Sequence, residues 1–283
     1  MKLSVITDEI SQDFEHALSV MGEYSVTGAE LRGLWSINIA DLSRDDVIRA
    51  KRALRERDMT VTCLATPMYK CDLEQDVASI EGPMHLARAR TMGEQMELLR
   101  RCAGIAHEFG TDLIRVFAFW RKGELSPSVE ARIVDAFAEP VRIAEQEGVT
   151  LVLENEHACL IGTGAEAGRI LSEVDSPRLR ACWDPGNAFF AGERAFPDGY
   201  EAVKPFLAHV HVKDAVMDAD GVAPRWCVIG EGEIGYEAHF DALRRDGYGG
   251  WISLETHYIP RGGTPEEGSR ACLAALRKLL PDG

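Results

Sequence analysis

Four side chains of metal-ligand type stand at the ends of four successive β-rich runs in the second half of the chain. The runs LVLE, ACWD, HVHVKD and ISLE supply Glu154, Asp184, His211 and Glu255. Three carboxylates and one imidazole form an oxygen-rich donor set, which suits Mn²⁺, Mg²⁺ or Co²⁺ and can also hold Zn²⁺. Taken alone, Asp184 before Pro185 and Gly186 is typical of a turn. Four such residues on successive runs favour a shared metal site, because polar groups clustered away from water must be paired or metal-bound.

The histidines divide by their position in these runs. His209 and His211 are two residues apart on one predicted strand, so their side chains point to the same face. His211 is nearer the strand end and is the predicted ligand, whereas His209 is predicted to pack beside it. His157 follows Glu154 by three residues, within reach of the same site. Four others are predicted to be surface or core residues: His16, His85, His107 and His239.

The elements that would bring these residues together are eight β-rich runs that alternate with helical segments. The runs lie at 3–7, 28–31, 60–64, 112–117, 149–154, 179–184, 208–213 and 251–255. Nearly continuous apolar runs such as LSVIT suit parallel strands that are covered on both faces. The count predicts an α/β fold, a closed (β/α)8 TIM barrel forming one domain over residues 1–283, with its active site at the C-terminal rim. The competing open sheet usually shows G-x-G-x-x-G after its first strand, where this chain has TDEISQDF.

Cap and stop residues predict where the helices begin and end. Ser43 with acidic residues behind it indicates one N-terminus, and Ser126-Pro127 begins a second helix that Gly148 ends. Further helices are predicted at 84–109, 235–246 and 264–279. Long segments follow the third and seventh strands, and they are expected to act as lids or binding loops. The rim tryptophans Trp35, Trp120 and Trp226 are expected to pack in such lids.

The charge and cysteine content of the 283-residue chain narrow the classes of partner. Asp and Glu number 46 against 31 Lys and Arg, which gives a net charge of −15. This balance argues against nucleic acid and anionic membranes as partners, because both reward clustered basic residues. No apolar run approaches the ~18 residues of a spanning helix, and Asp8 and Glu9 interrupt the N-terminal apolar stretch. Seven cysteines without a C-x-x-C pair are predicted to be mostly buried thiols of a cytoplasmic protein.

Five segments carry a family resemblance: LVLENEH, CWDPGNAFF, HVHVKDA, GEGEIGY and WISLET. In order and position they resemble the sugar phosphate isomerase/epimerase superfamily, whose barrel is xylose-isomerase-like. The resemblance implies one divalent ion held by Glu154, Asp184, His211 and Glu255, with Glu154 and Glu255 as the acid/base pair. Two departures leave the substrate open. The epimerases usually have His where this chain has Asn187, and they usually have Arg soon after the seventh-strand ligand, where this chain has Lys213. The sequence shows no set of extra histidines like that by which apurinic endonucleases of this fold hold three metals.

The expected function is a metal-dependent isomerase or epimerase of a sugar, sugar phosphate or keto acid, which abstracts a proton next to a carbonyl and forms an enediolate. The alternatives are a metal-dependent hydro-lyase on an inosose-like substrate and a catalytically silent sugar-binding barrel. Candidate substrate contacts are His157, Asn187, Lys213 and Arg115. Lys213 is equally explained as a solvated rim residue, and Arg115 as part of an internal ion pair. The expected partner is a sugar-like small molecule, and barrels of this kind often form homo-oligomers.

Overall fold

Eight parallel strands close into a barrel in the computed structural model, which describes residues 1–74 and 78–281. Including four strands outside the barrel, the described residues form β1 (Lys2–Ile6), β2 (Gly28–Leu31), β3 (Gly33–Leu34), β4 (Ile37–Asn38), β5 (Thr60–Met68), β6 (Leu113–Val116), β7 (Thr150–Glu154), β8 (Leu179–Trp183), β9 (Leu207–Val212), β10 (Asp214–Met217), β11 (Pro224–Cys227) and β12 (Trp251–Leu254). Around the barrel the order is β1–β2–β5–β6–β7–β8–β9–β12, and β12 pairs again with β1. The predicted closed (β/α)8 barrel is confirmed.

Nine α-helices are found in the described residues, and every barrel strand is followed by at least one of them. They are α1 (Phe14–Glu23), α2 (Arg44–Arg55), α3 (Gln95–Phe109), α4 (Pro127–Glu147), α5 (Gly164–Val174), α6 (Pro185–Phe190), α7 (Tyr200–Val203), α8 (Tyr236–Arg245) and α9 (Pro265–Leu279). The capping interpretation is confirmed for α2, where Ser43 and Asp46 form a reciprocal capping box. It is also confirmed for α4, which Ser126 caps and a left-handed Gly148 ends. No helix in the residues that the structure describes is long and apolar enough to cross a membrane.

The prediction of a helix over 84–109 is wrong at its start, because α3 begins only at Gln95. The preceding residues form turns and irregular chain, in which His85 has a positive φ of 46°. Arg88 and Arg90 both donate to the Asp41 carboxylate, at 2.5 and 2.6 Å. Residues two apart reach one partner from an extended chain, whereas on a helix they point about 200° apart. This tertiary ion pair therefore competes with helix formation.

The alternation of side chains on β9 separates the core from the barrel interior. Val210 and Val212 belong to the apolar layer shared with the helices, while His209 and His211 point inward. The predicted burial of the cysteines is confirmed, since all seven are buried and free. Barrel strands thus present polar groups inward near their C-terminal ends, where the candidate site lies.

Two short antiparallel hairpins, β3–β4 and β10–β11, were not predicted. The β10–β11 hairpin is anchored by Asp214, whose Oδ2 accepts the backbone N–H groups of Gly230 and Gly232 at 2.8 and 3.1 Å. A Cβ at Gly232 would lie 2.1 Å from Asp214 Oδ1, so only glycine allows this approach. The anchored hairpin carries Trp226 to the barrel mouth.

Candidate metal centre

The barrel brings the four predicted ligands together at its C-terminal mouth. Glu154 is the last residue of β7, and Asp184 and Glu255 directly follow β8 and β12. One ligand atom from each of Glu154, Asp184, His211 and Glu255 lies within 4.8 Å of the other three. All four residues are at most 3% exposed. Carboxylates crowded this closely away from water require a compensating cation.

Three atoms of this cluster fit a divalent cation. Glu154 Oε2 and Asp184 Oδ2 are buried with only ion-pair contacts, to Arg115 and Lys213, and His211 Nδ1 is buried without a hydrogen bond among the described residues. Native structures rarely leave such groups unsatisfied, and an ion is one standard reason for an exception. Asp184 is both a cluster residue and the turn residue that its position before Pro185 indicated. Its Oδ1 accepts the Asn187 N–H at 2.8 Å and caps α6, which leaves Oδ2 for the cluster.

Each glutamate of the cluster forms an ion pair with an arginine. The Arg115 Nη1 lies 3.0 Å from Glu154 Oε2, and the Arg32 Nη1 donates to Glu255 Oε1 at 3.0 Å. Burial raises the pKa of Glu154, but Arg115 and His211 together outweigh it and the net pKa is lowered. Burial likewise raises the pKa of Glu255, and Lys213 and His257 bring it well below the ordinary range. Both carboxylates are therefore ionised at neutral pH.

A buried carboxylate orients the candidate histidine ligand from behind. Glu30 on β2 is fully buried and lies between two imidazoles, at 3.0 Å from His211 Nε2 and 2.8 Å from His209 Nε2. Burial raises the pKa of Glu30, but the two histidines lower it well below the usual range. Because an ionised carboxylate only accepts, the Nε2–H of His211 donates to it. Burial lowers the pKa of His211, but nearby charges, those of Glu30 and Glu154 among them, raise it well above the ordinary value, so an ion bound at Nδ1 would displace a proton from that nitrogen. The prediction that His209 packs beside the ligand agrees with this arrangement.

Lys213 lies inside the cluster and is not a solvated rim residue. Its Nζ is 2.9 Å from Asp184 Oδ2 and also contacts Glu255 Oε2, and the side chain is 2% exposed. A Cβ at Gly186 would lie 2.5 Å from the Lys213 Cγ, so glycine is needed for the lysine to pass. Burial, opposed by this ammonium, raises the pKa of Asp184 to about 6. Lys213 thus contacts carboxylate oxygens of Asp184 and Glu255 that an ion held there would also use.

The remaining candidate substrate contacts form a chain that ends at the mouth. Asn187 Nδ2 donates to Glu154 Oε1 at 3.1 Å, and its Oδ1 lies 3.1 Å from His157 Nδ1. His157 also lies 2.9 Å from Glu156 Oε1, and its side chain is 34% exposed. Arg115, by contrast, is buried behind Glu154 and donates to the Ala65 carbonyl, as its internal ion-pair interpretation implied. The structure therefore places His157 at the opening and Arg115 beneath the ligands.

A protein-family model described as a xylose isomerase-like TIM barrel matches residues 21–279, nearly the whole chain. The chain belongs to this xylose isomerase-like family. An inosose dehydratase from Serratia proteamaculans is 27% identical to it over 164 residues, which are 53% of this chain and 55% of that protein. The chain therefore spans about half the length of this curated relative.

Two solved structures share the complete fold of this xylose isomerase-like barrel. The probable 3-DHS dehydratase AsbF from Bacillus anthracis has a TM-score of 0.75 at 20% identity, over 98% of both chains. The IolI protein, solved with a zinc atom, has a TM-score of 0.75 at 17% identity, over 100% of this chain and 99% of that one. At these identities the likeness establishes the fold, which accounts for the strand ends meeting at one rim.

Several groups around the centre of this xylose isomerase-like barrel were missed in the sequence. Glu30 and Arg32 lie in and just after the second strand, where the strand-end criterion used for the ligands would have found Arg32. His85, assigned by default to the surface or core of a helix, instead lies close to Glu255 and His257. At the mouth Trp226 stacks on Phe190 with ring centroids 3.8 Å apart. The rim is therefore richer in aromatic rings than the sequence indicated.

We expect Lys213→Gln to bind a divalent ion more tightly than the wild type, by about tenfold, although turnover falls. The ammonium is a cation against the same carboxylates, so its removal relieves repulsion of the ion. Calorimetric titration with Mn²⁺ measures this affinity. Lys70→Gln is the matched control, since Lys70 is also buried but lies 3.8 Å from Glu156, outside the cluster. Weaker Mn²⁺ binding by the Lys213 variant would show that the lysine supports the ion.

Proposed function

We propose that this protein is a metal-dependent dehydratase that removes water from a cyclic polyhydroxy ketone of the inosose type. The observation that carries the proposal is one buried cluster in which two ionised glutamates, an aspartate and a histidine meet around a lysine ammonium. Elimination of water needs a base for the carbon proton and an acid for the departing hydroxyl, and this cluster holds both. The resemblance to an inosose dehydratase supports the same substrate class.

The metal would be held by Glu154, Asp184, His211 and Glu255. Their donor set is rich in oxygen and contains one imidazole, which fits Mn²⁺, Mg²⁺ or Co²⁺ and also admits Zn²⁺. When bound, such an ion polarises a carbonyl and makes the neighbouring C–H more acidic. Glu30 orients His211, and Arg115 orients Glu154. Two of these ligands are therefore held in place before the metal binds.

The carbon proton passes to one of the two glutamates. Both are ionised at neutral pH, since Arg115 and Lys213 lower their pKa values, and both are therefore ready to accept it. The electron pair of the broken C–H bond forms the new carbon–carbon double bond as the neighbouring hydroxyl departs. That hydroxyl takes a proton from the Lys213 ammonium and leaves as water. A proton held on Glu255 can return to Lys213, which contacts it, whereas one held on Glu154 leaves to solvent and Lys213 takes a proton back from solvent.

The second candidate is an isomerase or epimerase on a ketose. It is favoured by the pairing of each glutamate with its own arginine, which gives two separately held proton-transfer groups. Return of the proton from the second glutamate to the other face of the carbon gives epimerisation, and return to the neighbouring carbon gives isomerisation. Neither outcome requires Lys213 as an acid.

Incubation of the Mn²⁺-loaded protein in D₂O with an inosose and with a panel of ketoses distinguishes these reactions. We expect the inosose to lose the mass of one water, as measured by mass spectrometry, and the ketoses to remain unchanged. Deuterium uptake by a ketose without loss of mass would contradict the dehydratase and favour the isomerase or epimerase. Metal binding without turnover of any compound would favour a silent sugar-binding barrel.

A further inference from the structure

Two histidines accompany Glu255 outside the four-residue cluster. His257 follows Glu255 by two residues, and His85 lies in the irregular segment before α3. One ligand atom from each of His85, Glu255 and His257 lies within 4.8 Å of the other two. We propose that these three residues form a second metal site, which binds Zn²⁺ beside the first site and shares Glu255 with it.

The strongest indication is the unpartnered Nε2 atom of His257. This atom is buried and has no hydrogen-bond partner in the part of the chain that the structure describes. It lies 3.8 Å from Glu255 Oε1 and 3.9 Å from Glu9 Oε1, too far for hydrogen bonds. Two zinc bonds of ~2.0–2.2 Å in tetrahedral geometry separate their ligand atoms by about 3.3–3.6 Å. A small contraction therefore brings His257 Nε2 and Glu255 Oε1 to a common ion.

Contacts of both its backbone and its ring hold His85 in place. The Asn38 side chain donates to the His85 carbonyl oxygen at 3.1 Å, and the residue has the left-handed φ of 46°. Such a conformation is uncommon outside glycine and persists where the surroundings fix it. The His85 and His257 rings stack with centroids 6.3 Å apart, and Trp226 packs edge-on against His257 at 5.0 Å. Both rings are thus positioned without an ion.

A zinc ion at this place competes for Glu255 with Lys213 and with Arg32. The Arg32 guanidinium is matched by three carboxylates, since it donates to Asp8 and Glu255 and also contacts Glu9. All three carboxylates are buried or nearly so, with side chains at most 9% exposed. Arg32 and Lys213 balance two of the three negative charges, and Lys70 and Arg115 lie near His85. The donor atoms and not the net charge therefore favour an ion here.

The chemistry of the donors separates the two sites. Two imidazoles and one carboxylate are a ligand set that proteins use for zinc, with the fourth position left open. The first site has three carboxylates and one imidazole, so Mg²⁺ and Mn²⁺ suit it better. We infer that Mn²⁺ occupies the first site alone, whereas Zn²⁺ occupies both. This inference concerns binding and does not depend on the reaction proposed above.

The test is the zinc stoichiometry of the whole protein by equilibrium dialysis and elemental analysis. We expect two Zn²⁺ per wild-type chain, one per chain for His85→Gln and one for His257→Gln. His16→Gln is the matched control and keeps two, since His16 is exposed and pairs with Glu266 away from the mouth. All four proteins are expected to bind one Mn²⁺.

Zinc-edge anomalous diffraction from wild-type crystals provides a second measurement that needs no variant. We expect one peak within the first cluster and another between His85, Glu255 and His257. A single Zn²⁺ per wild-type chain at saturation, or two retained by the His257 variant, would overturn the second site. Two bound Zn²⁺ without turnover of any inosose would leave it standing and contradict only the dehydratase.

Discussion

At least one of the variants Glu154→Gln and Glu255→Gln is expected to lower turnover by about 10²–10⁴-fold, the usual contribution of a general acid or base, because one of these glutamates takes the carbon proton. Glutamine keeps the size of the side chain and one coordinating oxygen, but it cannot take up a proton. Metal binding should weaken and still saturate at high concentration, because three of the four ligands remain. The measurement is turnover against Mn²⁺ concentration for each variant.

Asp184→Asn is the matched control for these two variants. Asp184 caps α6 with one oxygen and offers the other to the cluster, and it takes no part in the proposed proton transfers. Excess Mn²⁺ should therefore restore much of its activity. Full metal rescue of both glutamine variants would show that Glu154 and Glu255 are ligands alone, and the proposed transfer of the carbon proton to a glutamate would fail.

Glu30→Gln is expected to weaken Mn²⁺ binding by about 10–100-fold, although Glu30 is not itself a predicted ligand. The carboxylate accepts from His211 and His209 at once, whereas a glutamine amide presents a donor to one of them. His211 then loses the contact that fixes its orientation and its protonated nitrogen. Calorimetric titration with Mn²⁺ reads this effect directly, without reference to turnover.

Glu193→Gln serves as the comparison for Glu30→Gln. Glu193 is partly buried and accepts the backbone N–H groups of Gly164 and Ala165 at the start of α5, away from the cluster. Its affinity for Mn²⁺ should match that of the wild type. Equal affinity in the Glu30 variant and the wild type would mean that the barrel walls alone orient His211.

The strand ends were readable in the sequence because their signal is local. Glu154, Asp184 and Glu255 each stand at the end of an apolar run, and closure of a parallel barrel brings all such ends to one rim. Capping residues such as Ser43 and Ser126 are equally local, which explains why α2 and α4 begin where they were predicted.

The missed features depend on contacts between residues far apart in the chain. Glu30 meets His211 across the barrel, 181 positions later, so nothing near Glu30 in the sequence announces its partner. The bonds of Arg88 and Arg90 to Asp41 compete with an earlier start of α3, and the helical periodicity of the sequence gives no sign of them. His85 was hidden by that same error, since a residue placed on an outer helix is not considered for the mouth.

The central claim is that Glu154, Asp184, His211 and Glu255 hold one divalent ion. Anomalous diffraction at the manganese edge, from crystals grown with saturating Mn²⁺, tests it most directly. We predict one strong peak at the barrel mouth, within ~2.0–2.6 Å of His211 Nδ1 and of an oxygen from each of the three carboxylates. No peak at this position, with the Lys213 ammonium still lying between Asp184 and Glu255, would contradict it.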